Sequence, residues 1–314
     1  MINSVSSEIN LPDVKMNLYK PNDPVEVPVV ENRIATIGRS PNFIRHITFD
    51  VSGTMLEGNV MVGQSIGIIP PGTRENGKPH KLRLYSVSSP TDGEEGDGKL
   101  VSTIVKRVIE ENPENNDLFL GVCSNYLCNL RVGDTVKMTG PSGKRFLLPT
   151  NPDDYNYVFF ATGTGIAPYR GMIMDLMKKG VKSEIVLIFG CPYRTDLLYA
   201  EYFQPLAKEK RNFHYLTSVS REDPRADGTK YYVQYQIMDK ADLMQPILEQ
   251  DNTLMYICGL KGMETGIYQM MAQSGLDGYC DISEELKAKD VFEWTSDDIK
   301  SGIKPTDRVF VEVY

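Results

Sequence analysis

One boundary constrains this chain more than any other feature: the periodicity of its apolar residues changes at Pro149. Downstream, the apolar runs YVFFA, EIVLIFG, FHYLTSV, LMYICG and VFVEV are separated by stretches at 168–179, 195–209, 238–250 and 262–274 with helix-like spacing. Near-continuous apolar strands divided by helices predict a parallel sheet covered on both faces. Upstream, short β-prone runs (ITFDV, SIGIIP, LRLYSVS, LVSTIVKRV, DTVKMTG) are broken by Gly, Pro and Asp clusters at turn-like spacing. That rhythm predicts an antiparallel barrel or sandwich, with ENGKPH and TDGEEGDGK as loops. The expected division is an N-terminal arm over 1–28, a β-barrel domain over 29–150 and an α/β domain over 151–314, with TNPDDYN as the linker.

Composition narrows the function. The 314 residues suffice for two domains that each bury a core. A net charge of −8 argues against a general nucleic-acid binder, although Lys78, Lys81, Arg83, Lys106 and Arg107 form a candidate basic patch. No run is long and apolar enough to span a bilayer. The opening MINSVSSEIN lacks the basic and apolar regions of a secretory signal and is not Arg-rich like a transit peptide. A bacterial cytoplasmic protein is therefore favoured over a mature organellar form. Five cysteines, an odd and sparse set with no CxxC pair, predict reduced thiols. Cys123 and Cys128 match only a fragment of an iron–sulfur run, and His46, His80 and His214 are scattered, so no metal site is expected. Nothing resembles a repeat or a coiled coil, and a monomer is expected.

The first strand of the α/β half runs into Thr162-Gly163-Thr164-Gly165-Ile166-Ala167-Pro168. Glycines allow a tight turn and close backbone approach, and Pro168 suits the first turn of a helix. A helix N-terminus there offers free N–H groups to a pyrophosphate. Pro168 replaces the third glycine of the common dinucleotide fingerprint, and EIVLIFG ends without an acidic residue for a ribose 2′-hydroxyl. FHYLTSV instead ends in Ser220-Arg221, followed by Lys230 and Tyr232. A cation, a hydroxyl and an aromatic ring at a sheet's carboxyl edge suit a 2′-phosphate, hence NADP(H) rather than NAD(H). The alternative is an Arg and a Lys solvated on a surface loop.

In the barrel half, Arg83-Leu84-Tyr85-Ser86 reads as a strand whose alternation puts Arg83 and Tyr85 on one face. A cation beside an aromatic ring matches a diphosphate joined to a flat ring system; ordinary cross-strand packing is the alternative. NGKPHKLRLYS, GVCSNYLCNL, TGPSGKRFLLP, ATGTGIAPYRGM, SREDP, YICGLKGME and a terminal tyrosine follow in order. Together, over residues 29–314, they closely resemble the plant-type (plastidic) ferredoxin–NADP+ reductases.

The resemblance implies an antiparallel β-barrel holding FAD, followed by a five-stranded parallel-sheet α/β domain holding NADP. Arg83 would pair with the FAD pyrophosphate, Leu84 would lie alongside in the same strand, Tyr85 would stack on the flavin and Ser86 would bond near its N5. Gly121, Val122, Cys123 and Ser124 would run along the flavin, and Tyr314 would cover its other face. Thr162 and Gly163 match the pyrophosphate loop. Ser220, Arg221, Lys230, Tyr232 and Gln234 match the 2′-phosphate and adenine pocket. Gly259 and Leu260 would touch the cofactor from the turn after Cys258, which would sit beside the nicotinamide. Glu312 would be the nearby carboxylate. Ser86, Cys258, Glu312 and Tyr314 are thus the expected catalytic group.

Lys81, Lys106 and Arg107 would face the protein partner, a ferredoxin or flavodoxin. The chain departs from the pattern at Glu110, where many relatives place a tyrosine on the FAD adenine; Tyr126, or no aromatic residue, would take that role. The implied activity is hydride exchange between NADP(H) and flavin, coupled to one-electron transfer with the carrier. The alternative acceptors are a cytochrome, a haem-degrading system or a quinone.

Overall fold

The computed structural model describes residues 9–112 and 115–314; residues 1–8 of the expected arm lie outside the described residues. The first half builds strands β1 (Val25–Ile34), β2 (Ile44–Asp50), β3 (Ser65–Ile69), β4 (Arg83–Ser86) and β5 (Leu100–Lys106). A hairpin of β6 (Ile109–Glu111) and β7 (Leu118–Leu120), helix α1 (Val122–Asn129) and strand β8 (Thr135–Ser142) follow. The main sheet has the order β4-β3-β8-β1-β2-β5, with every pairing antiparallel. An antiparallel bridge between Val87 and Thr103 joins its two edges and closes the barrel. Val27, Val29, Ile47, Phe49, Ile66 and Ile68 fill the interior, as alternation along twisted strands requires.

The first sheet begins at Val25, four residues inside the expected arm. Its approach is tied down by the backbone. The Asn17 N–H donates to Pro141 (2.8 Å), the Gln64 side chain to the Lys15 carbonyl (3.0 Å), and the Thr150 N–H to Asn10 (2.9 Å). Such main-chain anchoring leaves no apolar period to read in the sequence.

The second half alternates as predicted: β9 (Asn156–Thr162), α2 (Ala167–Lys179), β10 (Ile185–Cys191), α3 (Ala200–Glu209), β11 (Phe213–Val219), α4 (Gln236–Asp239), α5 (Ala241–Leu248), β12 (Thr253–Gly259) and α6 (Met263–Gln273). An annex of β13 (Cys280–Ile282), α7 (Glu284–Lys287), α8 (Ser296–Gly302) and β14 (Ile303–Pro305) precedes β15 (Val309–Val313). The sheet order is β11-β10-β9-β12-β15, and its pairings are parallel. Alternate residues of β9 face opposite layers. Tyr157, Phe159 and Ala161 meet α2 and α3, while Val158 and Phe160 meet α5 and α6. Chain order runs outward from β9 to β11, then returns to β12 on the other side. The carboxyl ends of β9 and β12 therefore flank the switch point where such sheets hold ligands.

The predicted helix over 238–250 is split, because Lys240 leaves helical geometry between α4 and α5. The annex was not anticipated. Buried Trp294 donates its indole N–H to the Leu286 carbonyl (3.2 Å) at its centre, and Thr295 and Asp298 form a capping box on α8. The two halves share one core, in which Ile44, Val62, Ile104 and Phe146 of the barrel meet Tyr169 and Met172 of α2.

Candidate active site

A cleft of about 1740 Å³ runs between the halves. Pockets for single small ligands hold roughly 300–1,000 Å³, so this one has room for two large ligands. The strand β4 forms one wall with Arg83, Leu84, Tyr85 and Ser86, and Gly121, Val122, Cys123 and Ser124 at the start of α1 extend it. Thr162 and Gly163 line the cleft from the end of β9, and Tyr314 lines it from the sheet side, where it bonds to Thr164, Gly259 and Lys261.

On the barrel side, the Arg83 guanidinium donates to the Leu82 carbonyl (3.2 Å) and to no other group among the described residues. Its remaining donors are free for an anion. Tyr85 is half-buried against the barrel core, and burial raises its hydroxyl pKa far above the ordinary range, so it stays a neutral ring. Ser86 is fixed through its backbone, whose carbonyl accepts from the Thr103 hydroxyl (2.7 Å). No side chain caps the first turn of α1, which leaves N–H groups there for a ligand.

On the sheet side, Gly163 turns with φ +54° and no atom within 4 Å of where a Cβ would sit. At Gly165 a Cβ would collide with the Cys258 carbonyl, so the loop rests directly on the end of β12. The α2 N-terminus that follows has no side-chain cap and carries proline in its first turn. The Thr162 hydroxyl accepts from the Leu260 N–H (3.0 Å), which locks the turns after β9 and β12 together. Ser220, Tyr232 and Gln234 also line the cleft, while Arg221 and Lys230 stand exposed beyond it. Arg221 lies over the Tyr193 ring (5.5 Å) and donates to its hydroxyl (2.8 Å).

Cys258 and Glu312 are register partners on β12 and β15. Cys258 is 1% exposed and does not line the cleft. Burial, then the Glu312 charge, raises its thiol well above the ordinary value, so it is a small neutral group and no nucleophile. Burial alone pushes the Glu312 carboxyl up to about 7. The Tyr314 backbone bonds to Gly259 (3.0 Å) and Lys261 (3.0 Å), and its hydroxyl shares a hydrogen bond with Thr164 (2.6 Å). Tyr314 is thus held in place, yet the residue remains 58% exposed.

Three expected partner-facing cations line the cleft: Lys81 and Lys106 are exposed, whereas Arg107 is engaged internally. It stacks on Phe43 (4.9 Å) and donates to Asn125 (3.0 Å) and Asn129 (2.6 Å). Tyr126 points elsewhere, with its hydroxyl on the Thr135 carbonyl (3.2 Å). Sequence reasoning missed Phe119. It pairs with Glu110 across the β6–β7 hairpin, and both line the cleft. An aromatic residue opposite Glu110 is visible in the sequence only once the hairpin register is known.

Comparison with known proteins places these features in context. A family model described as an oxidoreductase NAD-binding domain matches residues 159–269. A ferredoxin–NADP reductase of Spirulina sp. is 42% identical over 287 residues, covering 88% of this chain and 96% of that protein. The chloroplastic leaf isozyme 1 of Arabidopsis thaliana is 38% identical over 308 residues, covering 96% and 80%. Among solved structures, the ferredoxin–NADP+ reductase of Plasmodium falciparum superposes with a TM-score of 0.69 at 25% identity, covering 95% of this chain and 99% of that one. A variant of that enzyme in complex with 2'P-AMP gives a TM-score of 0.70 at 25% identity and the same coverage.

Proposed function

Because the chain belongs to the ferredoxin–NADP reductase family, we propose that it exchanges hydride between NADP(H) and FAD and passes electrons singly to or from a ferredoxin or flavodoxin. The observation that carries this reading is the cleft, which brings Arg83–Ser86 of the barrel together with Thr162 and Gly163 at the end of β9, Leu260 after β12, and Tyr314. The residues fit FAD. Arg83 has free donors and α1 an uncapped N-terminus for the pyrophosphate, and Tyr85 offers a neutral ring for the flavin. Phe119 supplies the aromatic surface for the adenine half. Bound FAD supplies two-electron exchange with nicotinamide and one-electron exchange with an iron–sulfur or flavin carrier.

The chain's own residues do the rest. Residues 29–150 hold FAD and 151–314 hold NADP(H). Thr162, Gly163 and the α2 N-terminus bind the NADP(H) pyrophosphate, and Gly259 and Leu260 flank it. Ser220, Arg221, Lys230, Tyr232 and Gln234 receive the 2′-phosphate and adenine, as the 2'P-AMP-bound structural neighbour supports. Tyr314 keeps water off the flavin and yields to nicotinamide, while Cys258 packs behind the site. Glu312, which like its register partner Cys258 stands behind the cleft lining, sets the charge there near neutral pH, and Ser86 holds a proton by its hydroxyl. Lys81 and Lys106 attract the carrier, with Arg107 buttressing that rim. Among the described residues no helix is long and apolar enough to cross a membrane. Five unpaired cysteines support a reducing compartment, the bacterial cytoplasm in our reading, with a mature organellar form as the alternative.

An absorption spectrum of the purified protein tests the reading. Flavin bands that bleach with NADPH under anaerobic conditions and return on adding ferredoxin are expected. A colourless protein reconstituted with FAD that still fails to bleach would overturn it.

A further inference from the structure

Helix α2 links the two walls of the cleft. Its N-terminus follows the Thr162–Gly165 turn, and its first turn carries Arg170. The Arg170 guanidinium grips the barrel with a fork: Nη1 donates to Glu94 Oε1 (2.7 Å) and Nη2 to Glu94 Oε2 (2.9 Å). Nη1 also donates to the Ser88 carbonyl (3.0 Å), two residues beyond Ser86. Glu94 accepts from the Ser102 hydroxyl, which also bonds the Ser88 hydroxyl (2.9 Å). The pair is 13% and 17% exposed, so water offers little alternative. Next to it on the same helix, Gly171 has no room for a Cβ against the Ser89 carbonyl, and just over a turn further the Asp175 carboxylate accepts from the Thr91 N–H (3.1 Å). The segment that continues β4 is thus docked on the helix that continues the phosphate loop.

A planar fork fixes both position and orientation, which a point charge does not. Hydride transfer is sensitive to both, because reacting atoms must approach to roughly 3–3.5 Å and a misplacement of about 1 Å can cost on the order of a hundredfold. We propose that Arg170 and Glu94 are positioning residues that set how nicotinamide, held from α2, meets the flavin, held from β4. This rests on the functional reading above. The fork touches neither ligand wall directly, since neither residue lines the cleft.

The test compares Arg170→Lys and Glu94→Gln in the FAD-loaded protein. FAD content, thermal midpoint, affinity for NADP+ and for 2'P-AMP, and the stopped-flow rate of flavin bleaching at saturating NADPH are measured. FAD content and both affinities are expected to stay within about twofold of wild type, while bleaching slows about tenfold or more. The double variant is expected to be no slower than the slower single one, because both remove one interaction. Should Arg170→Lys fail to fold, the near-isosteric Glu94→Gln carries the same expectation alone. Wild-type bleaching rates in the variants, or a slowing that follows weaker NADP+ binding, would overturn the inference alone. A wild-type protein that never bleaches with NADPH would overturn the functional reading and this inference with it.

Discussion

Two partly buried carboxylates, one at the domain boundary and one on the edge strand of the parallel sheet, end in opposite charge states. At the domain boundary, burial pushes the Glu94 carboxyl up, but the Arg170 fork and the Ser102 hydroxyl outweigh it and hold the group below the ordinary range. At the sheet edge, Glu312 has no such partner, and burial carries it to about 7. A buried carboxylate with a cation becomes a fixed charge; one without becomes a group that titrates near neutrality. The first suits a joint that must not move, and the second suits proton exchange. His46 belongs to the fixed region. Burial, then Arg170 and Arg33, lower it to about 3, and its Nδ1 bonds the Tyr199 hydroxyl (2.7 Å) as a neutral ring.

The largest effect is expected at Glu94. Replacing it with alanine leaves the Arg170 charge buried without its counterion, at a cost of about 3–5 kcal/mol. Denaturant unfolding at pH 7 measures it. A loss under about 1 kcal/mol would mean that water already screens the pair and that the contrast with Glu312 is false.

An intermediate effect is expected at Glu312, and its sign differs. Its folded pKa lies above the ordinary value near 4.5, so its contribution to stability is intact at low pH and is lost as pH rises through about 7. Glu312→Gln removes that loss, worth at most about 3 kcal/mol. Wild type should therefore lose more thermal stability than the variant between pH 5 and pH 8. The pH dependence of flavin bleaching around 7 should also flatten in the variant. Parallel profiles would show that the carboxylate is already ionised at neutral pH.

The same contrast explains what the sequence disclosed. Strand-forming runs such as YVFFA and EIVLIFG are buried on both faces, so their apolar continuity announced a parallel sheet, and Gly163 and Gly165 marked the loop between β9 and α2. Arg83 and Tyr85 were legible because strand alternation places side chains on one face. The fork between Arg170 and Glu94 was not, because 76 residues separate its partners. Nothing local distinguishes a glutamate in a DGEEGDG loop that meets an arginine from its solvated neighbours. Phe119 was hidden for a related reason: its direction depends on a hairpin register that the turn, not the apolar pattern, decides.

The smallest effect is expected where the unpaired region meets the cleft. The Tyr314 hydroxyl shares a hydrogen bond with Thr164 and also meets the Gly165 backbone, and the Tyr314 backbone keeps two more with Gly259 and Lys261. Thr164→Val removes the first and leaves the others. A single neutral hydrogen bond is worth about 0.5–1.5 kcal/mol, so the ring should yield to nicotinamide roughly two- to tenfold more readily. Titration with NADP+ should show that gain, while 2'P-AMP, which lacks the nicotinamide end, should bind as to wild type. An equal gain for both ligands would place the effect in the phosphate loop and leave Tyr314 without a gating role. An unchanged NADP+ affinity would mean that the remaining bonds, rather than the one to Thr164, hold the ring over the site.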